Sequence, residues 1–161
     1  MGISGKELKV ISYLELEGKR FFIRSDIRRF FKTKNEMNVY ISKLKRKGRI
    51  IKLNREKYYL VPIKAYRGHW SEHPFIIVDE IFNGRDYFIG GKFAAYYWGH
   101  IEQIPNEIYV YSTKKQGKKK IFSLTIRYRR TSKQNMRDFV KRRIQNHPFI
   151  IANRRRSELW K

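Results

Sequence analysis

The sequence contains no cysteine among its 161 residues, which excludes disulfide bridges and thiolate metal sites. No stretch approaches the roughly 18 consecutive apolar residues of a membrane-spanning helix, and the N-terminus lacks the apolar core of a secretory signal peptide. Acidic residues are also scarce, with only 14 Asp and Glu. We therefore expect a cytoplasmic protein with no membrane partner.

Basic residues dominate the charge. The chain has 38 Lys and Arg and a formal net charge of +24, which is too large to serve solubility alone. Residues 1–62 hold 17 basic and 6 acidic side chains, residues 63–131 hold 12 and 6, and residues 132–161 hold 9 and 2. The excess runs through the whole chain, so a polyanionic partner is expected, and nucleic acid is the first candidate.

Residues 33–61 have the pattern of one helix followed by a two-stranded hairpin. Met37, Ile41 and Leu44 recur at intervals of four and three, which places them on one face of a helix. Polar and cationic side chains occupy the other faces. The pattern therefore predicts a helix with a core side and a side that is free to bind a partner.

The ends of this helix and the hairpin after it have local signals of their own. Either Thr33 or Asn35 can cap the start of the helix, and Gly48 supplies the left-handed residue that stops it. Apolar segments at 50–53 and 58–61 then flank a polar turn. A helix that leads directly into a basic hairpin is typical of a winged helix.

The preceding segments fit the same fold. Residues 6–16 have a helical pattern, residues 21–23 are a short apolar segment, and residues 25–31 read as a capped short helix. Helix, strand, helix, turn, helix and hairpin is the order of a winged helix-turn-helix. The sequence therefore predicts a DNA-binding domain at residues 1–62.

The pattern changes after residue 62, and residues 63–131 are predicted to form a small mixed α/β domain. The run 75–78 is apolar after a proline, and it is either a strand or a short helix. The other predicted elements are strands at 87–89, 108–111 and 121–128, a helix at 92–98, and a lysine-rich loop at 113–120.

Residues 132–146 are predicted to be helical. Met136, Phe139, Val140 and Ile144 form an apolar stripe that would dock on the rest of the chain or on a second protomer. The fold class is thus α+β, with an N-terminal winged helix-turn-helix, a small mixed α/β domain and a basic helical C-terminal extension at 132–161.

Four segments carry a family resemblance. They are YLVP at 59–62, DYFIG at 86–90, AAYYWG at 94–99 and QIP at 103–105. In these the chain resembles the AbiEi-type antitoxins of abortive-infection systems, which are winged-helix repressors with a second domain. The resemblance implies a transcription factor that represses its own operon, with a second domain acting against a nucleotidyltransferase-like toxin encoded next to it.

The candidate DNA contacts follow from the winged-helix prediction. The side chains expected to face the major groove are Asn35, Asn38, Ser42, Lys43 and Arg46. Those assigned to the wing and to phosphates are Arg55 and Lys57 in the hairpin, with Arg28 and Arg29 in the short helix. The remaining cationic candidates are Lys34, Lys114, Lys115, Lys118, Lys119, Arg142, Arg154 and Arg155.

Patterns for metal sites and catalysis are incomplete. His69 and His73 have the spacing of two metal ligands on one helical turn, but no third ligand is near and cysteine is absent. The carboxylates at 79–80 with Glu102 or Glu107 could hold magnesium in a nuclease, yet nothing in the sequence makes them converge. We expect no metal, no cofactor and no enzymatic activity.

Residues 90–92, Gly-Gly-Lys, lack the spacing of a phosphate-binding loop, so a turn that begins a helix is the better interpretation. A set of aromatic residues could either stack on single-stranded bases or fill the core; they are Tyr87, Tyr96, Tyr97, Trp98, Tyr109 and Tyr111.

The main hypothesis is a regulator that binds double-stranded DNA. The alternatives are an RNA-binding protein with a basic, aromatic surface and a magnesium-dependent nuclease.

Overall fold

A computed structural model of the chain describes residues 2–62 and 72–161. The contacts divide the chain into two units, residues 1–71 and 72–161, and each is described by itself. Both mix helices with strands, so the fold is α+β, with a three-stranded sheet in the first unit and a six-stranded sheet in the second. Among the described residues, no helix is long and apolar enough to cross a bilayer.

Residues 2–62 of the first unit form three α-helices and a three-stranded sheet. The helices are α1 (Gly5–Leu16), α2 (Arg24–Ile27), a 3-10 helix (Arg28–Phe30) and α3 (Lys34–Arg46). The strands are β1 (Phe21–Ile23), β2 (Ile50–Lys52) and β3 (Lys57–Leu60). The sheet order is β1-β3-β2 with both pairs antiparallel, so the segment before α2 pairs with the hairpin after α3.

Local hydrogen bonds set the ends of the two long helices. The Ser4 hydroxyl accepts from the Glu7 N–H at 3.2 Å and the Glu7 carboxylate accepts from the Ser4 N–H at 2.7 Å, which is a capping box. Thr33, and not Asn35, caps α3. Gly48 ends α3 with a φ of 68°, as predicted.

The core of the first unit is apolar and draws on every element. Its fully buried members include Val10, Ile11, Leu14, Phe22, Ile27, Met37, Ile41, Leu44 and Tyr58. The predicted stripe of α3 is therefore buried, and the burial of each large side chain stabilises the fold by about 1.5–3 kcal/mol. Burying one face of α3 leaves the opposite face in solvent.

The second unit contains the remaining elements. Its helices are α4 (Pro74–Phe82), α5 (Gly91–Tyr97) and α6 (Arg154–Ser157), with 3-10 helices at Lys133–Asn135 and Glu158–Trp160. Its strands are β4 (Phe88–Gly90), β5 (Glu107–Ser112), β6 (Gly117–Ile121), β7 (Leu124–Arg130), β8 (Phe139–Ile144) and β9 (His147–Ala152).

The six strands form one mixed sheet in the order β6-β7-β5-β4-β9-β8. The β5–β7 and β4–β9 pairs are parallel, whereas the other three pairs are antiparallel. Helix α4 packs on one face, with the Phe75 ring 4.8 Å from the Phe149 ring and the Phe82 ring 5.9 Å from the Tyr128 ring. The run at 75–78 is thus helical, with Pro74 in its first turn.

The predicted helix at 132–146 is wrong. Strands β8 and β9 form a hairpin whose turn residues, Gln145 and Asn146, have φ of 50° and 62°, and such a turn cannot lie in a helix. Strand β9 also pairs with β4 inside the sheet. The segment 132–161 is therefore part of the second unit and not a helical extension.

The predicted loop at 113–120 also differs from the structure, because it contains most of β6. This strand pairs with β7 along its whole length and lies at one edge of the sheet. Three of its five residues are lysines, so the hydrophobic pattern carries no signal for it.

A polar network joins α4 to β9. The buried Tyr87 hydroxyl donates to Asp79 Oδ1 at 2.7 Å and accepts from the Ile150 N–H at 3.0 Å. The His147 Nε2 atom lies 2.9 Å from Asp79 Oδ2. Burial and the bond to Asp79 raise the pKa of Tyr87, so its hydroxyl keeps the proton that the network needs.

Candidate nucleic-acid interface

The outer face of α3 brings the predicted groove-facing residues together. All five are exposed; they are Asn35, Asn38, Ser42, Lys43 and Arg46. The buried stripe lies on the other side of the helix, where Met37, Ile41 and Leu44 are at most 4% exposed. The helix therefore presents amide, hydroxyl and cationic groups in one direction, and these are the groups that read base edges.

One apolar residue lies in the middle of this polar face. Val39 is 51% exposed, one helical turn from Asn35, Ser42 and Lys43. An exposed methyl group on such a face can contact the methyl group of thymine. Sequence reasoning missed Val39, although a single apolar residue opposite the buried stripe was a visible signal.

Arg24 is a second residue that the sequence did not single out. Its Nε donates to Asn38 Oδ1 at 3.4 Å, and its guanidinium carbon lies 5.4 Å from the centre of the Tyr58 ring. Arg24 thus connects the start of α2 with α3 and with β3. No local pattern relates Arg24 to Asn38, because the two residues are 14 positions apart.

The turn between β2 and β3 is held by Asn54. Its side-chain oxygen accepts from the N–H groups of Glu56 and Lys57 at 3.0 and 2.8 Å. Arg55 is exposed in this turn, and Lys57 is half-buried where β3 pairs with β1. The hairpin tip is therefore ordered by its own hydrogen bonds and projects one exposed guanidinium.

The two arginines near the end of α2 are engaged in local contacts. Arg28 donates to the carbonyl oxygens of Phe31 and Lys32, so its charge stabilises the turn before α3. The guanidinium carbon of Arg29 lies 3.9 Å from the centre of the Tyr13 ring, and the side chain is exposed. Arg29 is the more accessible of the two.

An ion pair between the half-buried Lys47 and the buried Glu7 fixes the far end of α3 to α1. The Lys47 ammonium donates to Glu7 Oε2 at 2.7 Å and to the Gly2 carbonyl at 2.8 Å. Burial alone raises the pKa of Glu7, but the hydrogen bonds from Lys47 and Ser4 outweigh it and lower the pKa below its ordinary value of 4.5.

Replacing Glu7 should therefore destabilise the first unit. Glu7→Ala removes the carboxylate partner of the half-buried Lys47 ammonium and the capping box, at an expected cost of about 3 kcal/mol in the free energy of unfolding. Chemical denaturation measures this loss in the free energy of unfolding, and the control is Lys9→Ala, at an exposed position of α1. Because the folded pKa is lowered, the contribution is complete above about pH 4.5 and is lost as the pH falls further. An equal loss in both variants would contradict this role.

The cationic candidates of the second unit differ in accessibility. Lys115 is half-buried, with its ammonium 5.2 Å from the Phe82 ring and 5.1 Å from the Tyr128 ring, and burial lowers its pKa. Arg142 lies with its guanidinium carbon 5.1 Å from the Trp98 ring. The exposed candidates are Lys114, Lys118, Arg142, Arg154 and Arg155, whereas Lys119 is half-buried on β6.

The acidic candidates for magnesium are held by different partners. Asp79 belongs to the network with Tyr87, and Glu107 forms an ion pair with Arg127. His73 caps α4 by accepting from the Phe75 N–H, whereas His69 lies outside the described residues. Within residues 2–62 and 72–161, no group of three or more His, Asp or Glu could hold a metal ion.

The residues that carry the family resemblance in the second unit have structural contacts. The Asp86 carboxylate accepts from the Thr113 N–H and hydroxyl, and the Trp98 indole N–H donates to the Ala152 carbonyl at 2.8 Å. As predicted, residues 90–92 begin helix α5. In comparisons with known proteins, no protein-family model matches the chain, and a search of curated proteins finds no match.

Proposed function

We propose that the first unit is a winged helix-turn-helix and that the protein is a transcriptional regulator that binds double-stranded DNA in a sequence-specific way. The observation that carries the proposal is the exposed face of α3, which points away from a complete core and is followed by a basic hairpin. An α-helix fits the major groove of B-DNA, where amide and guanidinium groups distinguish base pairs.

In the proposed mechanism, α3 lies in the major groove and the hairpin lies beside it. Asn38 contacts an adenine, Arg46 contacts a guanine through its O6 and N7 atoms, and Val39 contacts a thymine methyl. Arg55 at the hairpin tip reaches a flanking phosphate. A second copy of the chain would bind the other half of a palindromic operator, about one helical turn away.

Substitutions on α3 should relax sequence preference. We expect Asn38→Ala and Arg46→Ala each to cost about 1–3 kcal/mol on the preferred duplex, with a smaller loss on random DNA. Lys57→Ala should weaken binding to all sequences alike, because a phosphate contact carries no sequence information. Fluorescence anisotropy on the two duplexes measures the difference. If both α3 variants discriminated between the two duplexes as well as wild-type protein does, the proposal that α3 lies in the major groove would be wrong.

Selection from a random duplex library tests the proposal as a whole. The full chain should enrich one short motif, and wild-type protein should bind that motif more tightly than shuffled DNA by about 10³-fold or more. Binding with no sequence preference would mean that the protein binds DNA only as a nonspecific polycation, and it would contradict the proposed sequence-specific regulator. The α3 variants from the previous experiment serve as matched controls in the selection.

We also propose that the protein is an autorepressing antitoxin and not an enzyme. The support is the resemblance to the AbiEi-type antitoxins; in the second unit its segments form β4, α5 and the loop that follows. Co-expression with a neighbouring nucleotidyltransferase-like toxin should restore growth, and the protein should silence its own promoter. If the protein silenced its promoter but did not restore growth, the proposal of a transcriptional regulator would stand and the proposal of an antitoxin would be wrong.

A further inference from the structure

A row of stacked aromatic rings crosses one face of the second unit's sheet. Phe88 on β4 and Tyr111 on β5 are cross-strand partners, with ring centres 5.0 Å apart and ring planes 7° apart. Phe139 on β8 extends the row, 6.0 Å from Phe88, and Trp160 extends it at the other end, 6.0 Å from Tyr111. Four rings therefore stack side by side on the face opposite α4, where Phe88 is 0% exposed and the Arg156 guanidinium carbon lies 4.4 Å from its ring centre.

The row ends at an open cavity of about 550 Å³. Tyr111 and Trp160 line it together with Tyr109, which lies two residues before Tyr111 on the same face of β5. Gln103 and Asn106 contribute amide groups to the wall. Three of its twelve lining residues are aromatic, and the others include apolar, amide and charged side chains, Glu107 among them. A concave site of this size that combines apolar and polar groups is typical of a ligand site.

Two glycines let the aromatic rings at this cavity pack closely against the backbone. Gly90 is the cross-strand partner of Tyr109, and a Cβ at Gly90 would lie 2.6 Å from the Tyr111 ring and 3.1 Å from the Trp160 ring. Gly91 has a φ of 64°, and a Cβ there would lie 3.1 Å from Tyr109. The rings of Tyr109, Tyr111 and Trp160 therefore fill the space that side chains at Gly90 and Gly91 would occupy.

Several cations lie on the same face of the sheet as the cavity. Arg129 is the cross-strand partner of Tyr111, is exposed, and lies with its guanidinium carbon 5.5 Å from the Tyr109 ring. Lys118 and Lys120 are exposed on β6, and Lys92 is exposed at the cavity itself. Residues 72–161 hold 19 Lys and Arg against 8 Asp and Glu, so the face suits a polyanion.

We propose that this face binds single-stranded nucleic acid, separately from the duplex bound by the first unit. One base enters the cavity and stacks on Tyr109, the amides of Gln103 and Asn106 contact its edge, and phosphates follow Lys92 and Arg129. Aromatic rings next to cations are the combination that holds single strands. A duplex cannot use the cavity, because its bases are stacked and paired.

The test uses the full chain and two fluorescein-labelled single strands of about 12 nucleotides, one DNA and one RNA of the same sequence. Tyr109→Ala should weaken binding to at least one strand by about tenfold, since the stacking of one base is lost. Tyr109→Phe keeps the ring and should remain within about twofold of wild type. The matched control is Tyr96→Ala, because Tyr96 is 36% exposed on α5 and does not line the cavity.

An abasic strand of the same length separates stacking from charge. It should bind wild-type protein about as weakly as the normal strand binds Tyr109→Ala. Equal affinity of wild-type protein for the normal and abasic strands would overturn the proposal, and so would an equal loss in Tyr96→Ala. Tyr109→Ala should leave duplex binding unchanged, and Asn38→Ala should leave single-strand binding unchanged. The failure of one interface is thereby distinguishable from the failure of the other.

Discussion

Affinity for duplex DNA is expected to fall by about 10³- to 10⁵-fold when the salt concentration rises from about 50 to about 200 mM. This range corresponds to about 6–10 neutralised phosphates, each of which releases condensed counterions. The formal net charge of +24 and the exposed cations of α3 and the hairpin, including Lys43, Arg46 and Arg55, make that number of contacts available. Phosphate contacts should therefore dominate the binding free energy of any duplex.

The slope of log affinity against log salt measures the number of these contacts. Arg55→Ala should make the slope shallower by about 0.9, because one phosphate contact is lost. Lys9→Ala, at an exposed position of α1 that the proposal does not place on DNA, should leave the slope unchanged. A binding constant that barely changes across this salt range would contradict the proposed interface, whatever the sequence preference.

Removal of the C-terminal hairpin should unfold the second unit. A chain that ends at Arg130 lacks β8, β9 and α6, which exposes the side of β4 that pairs with β9. It also removes Phe149 and Ile151, both 0% exposed, and the His147 partner of Asp79. The truncated chain would therefore expose unpaired backbone groups of β4 and apolar side chains of α4.

Circular dichroism and hydrogen exchange measure this loss. Amides of β4 and β5 should lose protection in the truncated chain, whereas those of α1 and α3 should keep it. A point substitution gives the same information without shortening the chain, since Phe149→Ala should cost about 3–5 kcal/mol in the free energy of unfolding. Lys141→Ala, exposed on β8, is the control. Retained protection in β4 after truncation would mean that the hairpin is dispensable for the sheet.

The helices and hairpin of the first unit were predictable because their signals are local. Thr33 and Gly48 set the ends of α3 through hydrogen bonds and dihedral angles within one turn of the helix. The apolar positions 37, 41 and 44 have one periodicity, which fits only a helix. Sequence alone therefore predicted which face of α3 is exposed, and with it five of the candidate contacts.

The C-terminal segment shows the opposite case. A helical stripe fits positions 136, 139, 140 and 144, yet the segment forms strands β8 and β9. The reason is that β9 pairs with a side of β4 that would otherwise be unpaired, although β4 lies about 60 residues earlier in the chain. Long-range pairing of this kind overrides local periodicity. The lysine-rich β6 was missed for the same reason. An edge strand can form through backbone hydrogen bonds to the neighbouring strand, here β7, without alternating apolar residues.

Composition by itself predicted a polyanionic partner, and local pattern determined the first unit's elements. Only the tertiary structure placed Arg24 against Asn38. Only the tertiary structure brought Gly91, Tyr109 and Trp160 around one cavity, since these residues come from three separate segments. Such contacts depend on strand order and register, which are decided by the packing of the whole unit and not by any stretch of sequence.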